Sequence, residues 1–267
     1  MSDPGSTHTD THSHSHTLSR SNTQSLRPLA VLALGRTGAD IERLVREARL
    51  AARRERRAIV WADLERALQG DRKPMSDALL WRVCIHEAGH AIAWTLLEVG
   101  EVITVMIGGA EFGQVISRRF EDLPQTEDWL MRTIACLLAG RVAETMVFGD
   151  TVAGAGGGED SDLAKATTLA LAAETMLGFS GDRPLLYRNP RGNLDLLSYD
   201  RDLAGQVNER LLAAEQMARN LLETRRPELT EIARRLQRKG IVEGSDVCAV
   251  LGVEARLSDG QGEAAQK

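Results

Sequence analysis

Apolar residues recur every three to four positions along most of the chain, and polar residues occupy the positions between them. This spacing gathers the apolar side chains on one face of a helix, where they can pack into a core. Shorter helices are predicted to open near Ser161, Pro227 and Ser245. The longer predicted helices lie at about 38–54, 61–68, 79–100, 127–148 and 200–225. The pattern therefore predicts a mainly α fold.

Two neighbouring segments follow a different pattern. Residues 102–107 and 113–117 are rich in β-branched side chains, and Gly108 and Gly109 begin the turn that separates them. β-Branched residues favour extended backbone, and glycine tolerates the backbone angles of tight turns. The sequence therefore predicts one small β-hairpin directly after the helix at 79–100.

Composition narrows the class of protein. The 267 residues are 43% hydrophobic and only 4% aromatic, which suffices for one larger and one smaller domain. A net charge of −5 provides no general attraction to nucleic acid. No apolar run approaches the roughly 18 residues of a membrane-spanning helix, and the polar start does not resemble a signal peptide. We therefore expect a cytoplasmic protein with no transmembrane segment and no nucleic-acid partner.

Both ends of the chain differ from the rest. Residues 1–26 consist largely of Ser, Thr, His, Asp and Gly, and residues 256–267 are also polar. Segments this poor in large apolar side chains bury too little surface to offset the entropy lost on folding. We predict that both are disordered tails, and that the histidine-rich tract from His8 to His16 binds metal only adventitiously.

The most informative stretch lies inside the helix at 79–100. It contains His86, Glu87 and His90 in a His-Glu-x-x-His pattern. Residues four apart on a helix lie one turn above each other, so the two imidazoles can point at one metal ion. Both rings belong to a stripe that we predict to be buried, and buried imidazole nitrogens need partners, which zinc provides. The stripe consists of Leu79, Val83, His86, His90, Ala93 and Leu97.

Glu87 lies about a third of a turn round the helix from His86, beside the ligand face. A zinc ion lowers the pKa of a bound water molecule to about 7, and a neighbouring carboxylate can accept its proton as the water attacks a carbonyl carbon. The pattern thus predicts Glu87 as the general base of peptide-bond hydrolysis. The alternative is a core helix whose two histidines have ordinary hydrogen-bond partners. The other four histidines all lie in the N-terminal tail, which favours the metal site.

A catalytic zinc usually takes three protein ligands, and no further histidine lies outside the tail, so the third is a carboxylate or a cysteine. Asp162 shares a helical stripe with apolar residues at the start of its helix, and we favour it. Glu144, in the helix at 127–148, is the alternative, either as a ligand or as a partner that orients a ligating histidine. Glu159 and Asp160, in the preceding loop, are further candidates.

Two parts of the chain resemble a known family. The segment 35–48 looks like the small helical lid that closes the AAA ATPase module of FtsH-type zinc metalloproteases. Further blocks, together with the His-Glu-x-x-His motif, look like the successive blocks of the FtsH peptidase domain, in that family's order and at similar spacing. The resemblance covers about residues 28–255. The further blocks are 138–144, 148–150, 161–167 and 178–180.

The resemblance implies a helical zincin-type peptidase domain at 74–255, preceded by an AAA-lid-like helical subdomain at 27–73. It also implies that Asp162 is the third zinc ligand, beside His86 and His90. No Gly-x-x-x-x-Gly-Lys-Ser/Thr phosphate loop occurs in the sequence. We therefore expect no ATP hydrolysis by this chain alone.

By this resemblance we expect a zinc metalloendopeptidase of FtsH type that lacks its own ATPase core and membrane segment and cleaves unfolded polypeptides. The family's members form hexameric rings, so a homo-oligomer is implied, and a separate AAA ATPase could engage the lid as a partner. The hairpin either offers an edge strand to an extended substrate or is purely structural. The alternative function is a non-catalytic scaffold or adaptor that retains the peptidase fold.

Overall fold

The structure is a computed structural model that describes six stretches of the chain. The predicted tails lie outside them, apart from Leu26, and so does the part of the hairpin turn that follows Gly108. The described stretches are residues 26–33, 36–70, 75–108, 113–153, 157–190 and 194–254.

Helices dominate these stretches, which confirms the mainly α fold. The strands are β1 (Gly100–Ile107), β2 (Gly113–Arg119) and β3 (Ile241–Glu243). The helices are α1 (Arg27–Leu32), α2 (Gly38–Arg54), α3 (Trp61–Gln69), α4 (Asp77–Leu96), α5 (Glu127–Phe148), α6 (Asp162–Thr175), α7 (Leu196–Tyr199), α8 (Arg201–Glu223), α9 (Arg226–Lys239) and α10 (Gly244–Leu251).

The small sheet contains the predicted hairpin and one strand that the pattern did not predict. β1 pairs antiparallel with β2 on one side and with β3 on the other, so the order is β2-β1-β3. β3 is only three residues long, too short for alternation of apolar and polar positions to reveal it. Within the described residues, β2 is therefore an edge strand.

Hydroxyl side chains begin the three helices that matter most for the site. Ser76, Thr126 and Ser161 precede α4, α5 and α6, and each side-chain oxygen accepts a hydrogen bond from the backbone N–H three residues later. Such a cap satisfies one of the N–H groups that the first helical turn leaves without a partner. The caps set where each helix begins, and Ser161 thereby places the next residue, Asp162, in the first turn of α6.

The core forms where α4 packs directly against α5. A Cβ atom added at Gly89 on α4 would lie 2.7 Å from both the Ala139 carbonyl oxygen and the Ala143 Cβ on α5, closer than real contacts allow. The two helix backbones can approach this closely only because these positions carry glycine and alanine. α8 and α9 pack against this pair, α6 packs against α5, and β1 packs against α4.

The apolar stripe predicted on α4 is buried only in part. Ala93 is fully buried, but Leu79 in the first turn is 37% exposed, so the prediction that this turn faces the core is wrong. The core covers only the middle of the helix, which the period of the pattern cannot indicate. The helix also ends at Leu96, before the predicted position near Gly100, because Glu98 adopts a φ of 53° and β1 begins at Gly100.

The helices α1 to α3 have a small core of their own, built from Leu29, Leu44 and Leu68. The Asp63 carboxylate, which is buried, accepts two hydrogen bonds from Arg57, at 2.6 and 2.8 Å. These hydrogen bonds hold the pKa of Asp63 below its usual value. The boundary between this unit and the peptidase domain, at 73 and 74, stays a prediction. Among the described helices, none combines the length and apolar character needed to cross a bilayer.

We expect Gly89→Ala to lower the free energy of unfolding by about 1–3 kcal/mol, because the added methyl group forces α4 and α5 apart. Chemical denaturation with urea measures the change. Gly205→Ala in α8 is the matched control, since a Cβ there meets nothing within 4 Å. That control should raise the free energy of unfolding by about 0.5–1 kcal/mol through lower chain entropy. A gain in stability for both variants would contradict close packing at Gly89.

Candidate metal centre

The two histidines of α4 point their Nε2 atoms toward the same space. The two Nε2 atoms are 3.0 Å apart, and each ring is fixed through its other nitrogen. The Nδ1 atom of His86 lies 2.7 Å from a Glu144 carboxylate oxygen, and that of His90 lies 2.8 Å from the Cys136 carbonyl oxygen. An oxygen of either kind accepts a hydrogen bond, so each Nδ1 carries the donated proton. When both rings are neutral, both Nε2 atoms therefore present lone pairs.

Asp162, 72 residues after His90, completes the cluster from the first turn of α6. Its Oδ2 atom lies 3.1 Å from His90 Nε2 and 3.4 Å from His86 Nε2. The side chain of Asp162 is 30% exposed, whereas the His90 side chain is almost fully buried. The cluster is thus open to solvent on the Asp162 side. Among the described residues, these three are the His, Cys, Asp and Glu side chains that could hold one metal ion.

The chemistry of these three atoms fits a divalent metal. Two imidazole lone pairs and one carboxylate oxygen are all electron donors, and only a cation placed among them satisfies all three. Imidazole nitrogen and carboxylate oxygen are ordinary ligands of zinc, and three protein ligands leave a fourth position open. The arrangement therefore suits a catalytic rather than a structural metal site. That His86, His90 and Asp162 bind the metal stays a prediction.

The alternative ligands lie elsewhere. Glu144 contacts the nitrogen of His86 that faces away from the cluster, so its position suits orienting the ring, as carboxylates do for ligating histidines. Glu159 and Asp160 are exposed and are not part of the cluster. The structure thus brings the favoured residues together. The contact of Glu144 agrees with the second of the two roles left open for it, and that role stays a prediction.

The electrostatics of the cluster call for a positive charge. Burial by itself lowers the pKa of His86, but hydrogen bonds to Asp162 and Glu144 outweigh it and raise that pKa to about 10. Burial likewise raises the pKa of Asp162, but the charges of His90 and His86 and their hydrogen bonds outweigh it and lower that pKa. Burial would raise the pKa of Glu144 too, but donors led by His86 keep it below its usual value. Without metal, a proton on His86 therefore supplies the positive charge.

Two glycines shape the site, and neither was predicted from the sequence to do so. A Cβ atom at Gly140 on α5 would lie 2.5 Å from His90 Nε2 and 2.6 Å from His86 Nε2. A Cβ atom at Gly113, at the start of β2, would lie 2.6 Å from Oε1 of Glu87. Gly140 directly follows the apolar run 134–139 inside a helix, a signal that could have been noticed. Gly113 carries no such signal, because a glycine beside a predicted turn is ordinary.

Glu87 is buried, and its carboxylate lies against the backbone of Gly113. It therefore stands where the ligand helix α4 meets the edge strand β2. The neighbouring thiol of Cys84 is unsuited to nucleophilic chemistry, because burial raises its pKa to about 12.

Comparison with known proteins assigns the family. The sequence model of Peptidase family M41 matches residues 75–250. The chain belongs to this family. The match includes α4, α5 and α6, and hence His86, His90 and Asp162. The resemblance to FtsH-type proteases that the sequence indicated is confirmed.

Curated relatives of this M41 chain carry the name ATP-dependent zinc metalloprotease FtsH. The protein of Methylococcus capsulatus is 32% identical over 251 residues, which cover 85% of this chain and 39% of that protein. FtsH 1 of Symbiobacterium thermophilum is 34% identical over 247 residues, with the same two shares. The protein of Thermus thermophilus is 36% identical over 214 residues, covering 72% of this chain and 33% of its own length. The chain thus spans two fifths or less of these relatives.

We expect Gly140→Ala to weaken Zn²⁺ binding at least about tenfold, because the added methyl group displaces both ligand nitrogens. Helical content should not fall, since alanine favours helix more than glycine does. Zn²⁺ affinity measured by chelator competition, with circular dichroism on the same sample, checks both points. Gly205→Ala should bind Zn²⁺ as the wild type does. Unchanged affinity in Gly140→Ala would show that Gly140 does not border the metal position.

We expect the apparent Zn²⁺ affinity to rise with pH. Because the pKa of His86 is about 10 without metal, its Nε2 must release a proton before it can bind the ion at neutral pH. Affinity should increase by about tenfold per pH unit between pH 6 and pH 8, with at least one proton released. Calorimetry in two buffers of different ionisation enthalpy counts the protons. An affinity that does not change with pH would contradict the raised pKa.

Proposed function

We propose that this M41 domain is a zinc-dependent metalloendopeptidase that hydrolyses peptide bonds of unfolded polypeptides. The observation that carries the proposal is the convergence of His86 Nε2, His90 Nε2 and Asp162 Oδ2 within 3.4 Å of one another. The names of the curated relatives, which specify zinc and proteolysis, support both the metal and the reaction.

In this proposal, His86, His90 and Asp162 hold the zinc ion. When bound, zinc supplies Lewis-acid chemistry, including a lowered pKa for a water molecule in its open position. Glu87 is the catalytic base and accepts a proton on its carboxylate. Its burial against Gly113 keeps that carboxylate next to the substrate side of the site. Glu144 and the Cys136 carbonyl hold the two imidazole rings in the orientation that binding requires.

The edge strand β2 is the proposed binding surface for the polypeptide. Edge strands have free backbone N–H and C=O groups, with which an extended chain can form hydrogen bonds at every second residue. Because β2 begins at Gly113, a polypeptide paired with it would run past Glu87. Pairing of this kind requires extended backbone, which folded substrates do not offer. The geometry therefore favours unfolded polypeptides.

The proposal extends to the setting of the reaction. By resemblance to FtsH-type proteases, we include a homo-oligomeric, hexameric ring, a separate AAA ATPase as a possible partner of the lid-like helices α1 to α3, and a cytoplasmic location. Nucleic acid is not a proposed partner. The competing function is a non-catalytic scaffold, which would need the fold but neither Glu87 nor the metal.

We expect Glu87→Gln to lower casein hydrolysis by about 10²–10⁴-fold, because general-base catalysis is lost. Zinc stoichiometry should equal that of the wild type, since the amide keeps the shape of the side chain and the three ligands remain. Fluorescent casein and metal analysis of the purified protein measure the two quantities. Glu223→Gln is the control, because it removes the same charge from an exposed side chain at the end of α8. Its casein hydrolysis and zinc content should equal those of the wild type. Equal hydrolysis by Glu87→Gln, or none by the zinc-loaded wild type, would favour the scaffold.

A further inference from the structure

Arg82 stands one helical turn before His86 on α4, on the same face as the two histidines. Its side chain is only 18% exposed, although arginine normally extends into water. The guanidinium carbon lies 4.3 Å from the centre of the Phe148 ring, in a cation–π contact. A half-buried cation so near the candidate metal centre needs an explanation, and its contacts provide one.

The guanidinium group shares the Glu144 carboxylate with His86. Glu144 is 1% exposed, and its two oxygens have different partners. Oε1 faces His86 Nδ1 at 2.7 Å, whereas Oε2 accepts hydrogen bonds from Arg82 Nη1 at 3.1 Å and from the Val152 backbone N–H at 3.2 Å. Two donors on Oε2 restrict rotation of the carboxylate, so the other oxygen keeps its direction toward His86.

Arg82 also ties down the segment that follows α5. Its Nη2 atom lies 2.7 Å from Asp150 Oδ1, and its Nη1 atom lies 3.4 Å from the Asp150 carbonyl oxygen. Val152, two residues later, donates to Glu144. The guanidinium thus links α4, α5 and the first residues after α5. This link lies on the Nδ1 side of the His86 ring, away from the three converging atoms.

We propose that Arg82 is a positioning residue of the metal centre, which fixes the Glu144 carboxylate so that this carboxylate in turn fixes the His86 ring for metal binding. The proposal rests on the proposed function in one respect, namely that His86 binds zinc. It adds an outer layer to the site, in which a cation on the ligand helix acts on the metal only through Glu144.

Removal of Arg82 has two consequences for Glu144. The carboxylate loses one of its two donors on Oε2 and keeps only the Val152 N–H, so its direction toward His86 is fixed less firmly. It also loses a nearby positive charge inside the protein, where charges are poorly screened. Both effects act on the direction and the hydrogen bond of the His86 ring, and neither changes the three metal ligands themselves. The expected result is lower metal affinity and a less uniform ligand geometry, not a complete loss of metal binding.

The primary variant is Arg82→Met, which keeps an unbranched apolar stem over Phe148 but removes the charge and the donors. We expect its Zn²⁺ dissociation constant to rise by about tenfold, the lower end of the range for partners of metal ligands. The visible spectrum of the Co²⁺-loaded protein should change in band position and intensity, because it reports ligand geometry. Arg82→Lys keeps the charge without the two-armed geometry and should fall between Arg82→Met and the wild type.

Arg225→Met is the matched control. Arg225 is also a partly exposed arginine in an ion pair, 3.0 Å from Glu228, but it lies at the start of α9. This variant should bind Zn²⁺ as tightly as the wild type and give the wild-type Co²⁺ spectrum. A general loss of stability on removing an ion-paired arginine would affect both variants alike, whereas a positioning role affects only Arg82.

A double-mutant cycle with Glu144→Gln tests whether Arg82 acts through Glu144. In the Glu144→Gln background, Arg82→Met should change Zn²⁺ affinity by less than about twofold, because the carboxylate that Arg82 holds is gone. The proposal is overturned if Arg82→Met weakens binding equally in both backgrounds, or if it leaves affinity and Co²⁺ spectrum unchanged. If Arg82→Met does not fold, Arg82→Lys takes its place in the same cycle.

The outcomes separate this proposal from the proposed function. A wild-type protein that binds no Zn²⁺ overturns both. A wild type that binds Zn²⁺ and needs Glu87 for casein hydrolysis, together with an Arg82→Met variant that binds Zn²⁺ equally well, overturns only the positioning role.

Discussion

The whole site depends on the close approach of α4 and α5. Gly89 lets the two backbones come together, and Gly140 leaves room for the two imidazoles between them. At this distance α5 supplies the hydrogen-bond partners of both rings, the Glu144 carboxylate and the Cys136 carbonyl. One helix thus provides the two imidazole nitrogens, and its neighbour provides the partners that orient them. If the helices moved apart, both the ligand geometry and the core would be lost.

A second constraint is the balance of charge in a buried place. Asp162 and Glu144 bring two carboxylates to the histidines, and both keep a low pKa because nearby donors and cations outweigh their burial. A proton on His86 or a metal ion among the three donor atoms compensates the negative charge of Asp162. Arg82 compensates the negative charge of Glu144. This distribution places a compensating positive charge beside each of the two carboxylates.

The remaining elements give the site its access. β1 follows α4 and pairs with β2, so β2 lies beside Glu87. β3 pairs with the other edge of β1. The sheet therefore has its edge at the proposed substrate side. Membership of Peptidase family M41 agrees with this arrangement, and the part of the chain that matches includes all of these elements. The helices α1 to α3 precede the matched part and have their own small core.

Features that depend on local spacing could be predicted from the amino-acid sequence alone. Helical period predicted the bounds of α5 to the residue, and the four-residue separation of His86 and His90 predicted two converging rings. Asp162 lies far along the chain, so its apolar neighbours could only rank it above Glu144, and the family resemblance was needed to prefer it firmly. The surroundings of Gly140, Gly113 and Arg82, as well as the pairing of β3, became apparent only from the folded structure. Each of these depends on contacts between distant segments, and the spacing of residues along one helix or strand contains no information about its neighbours.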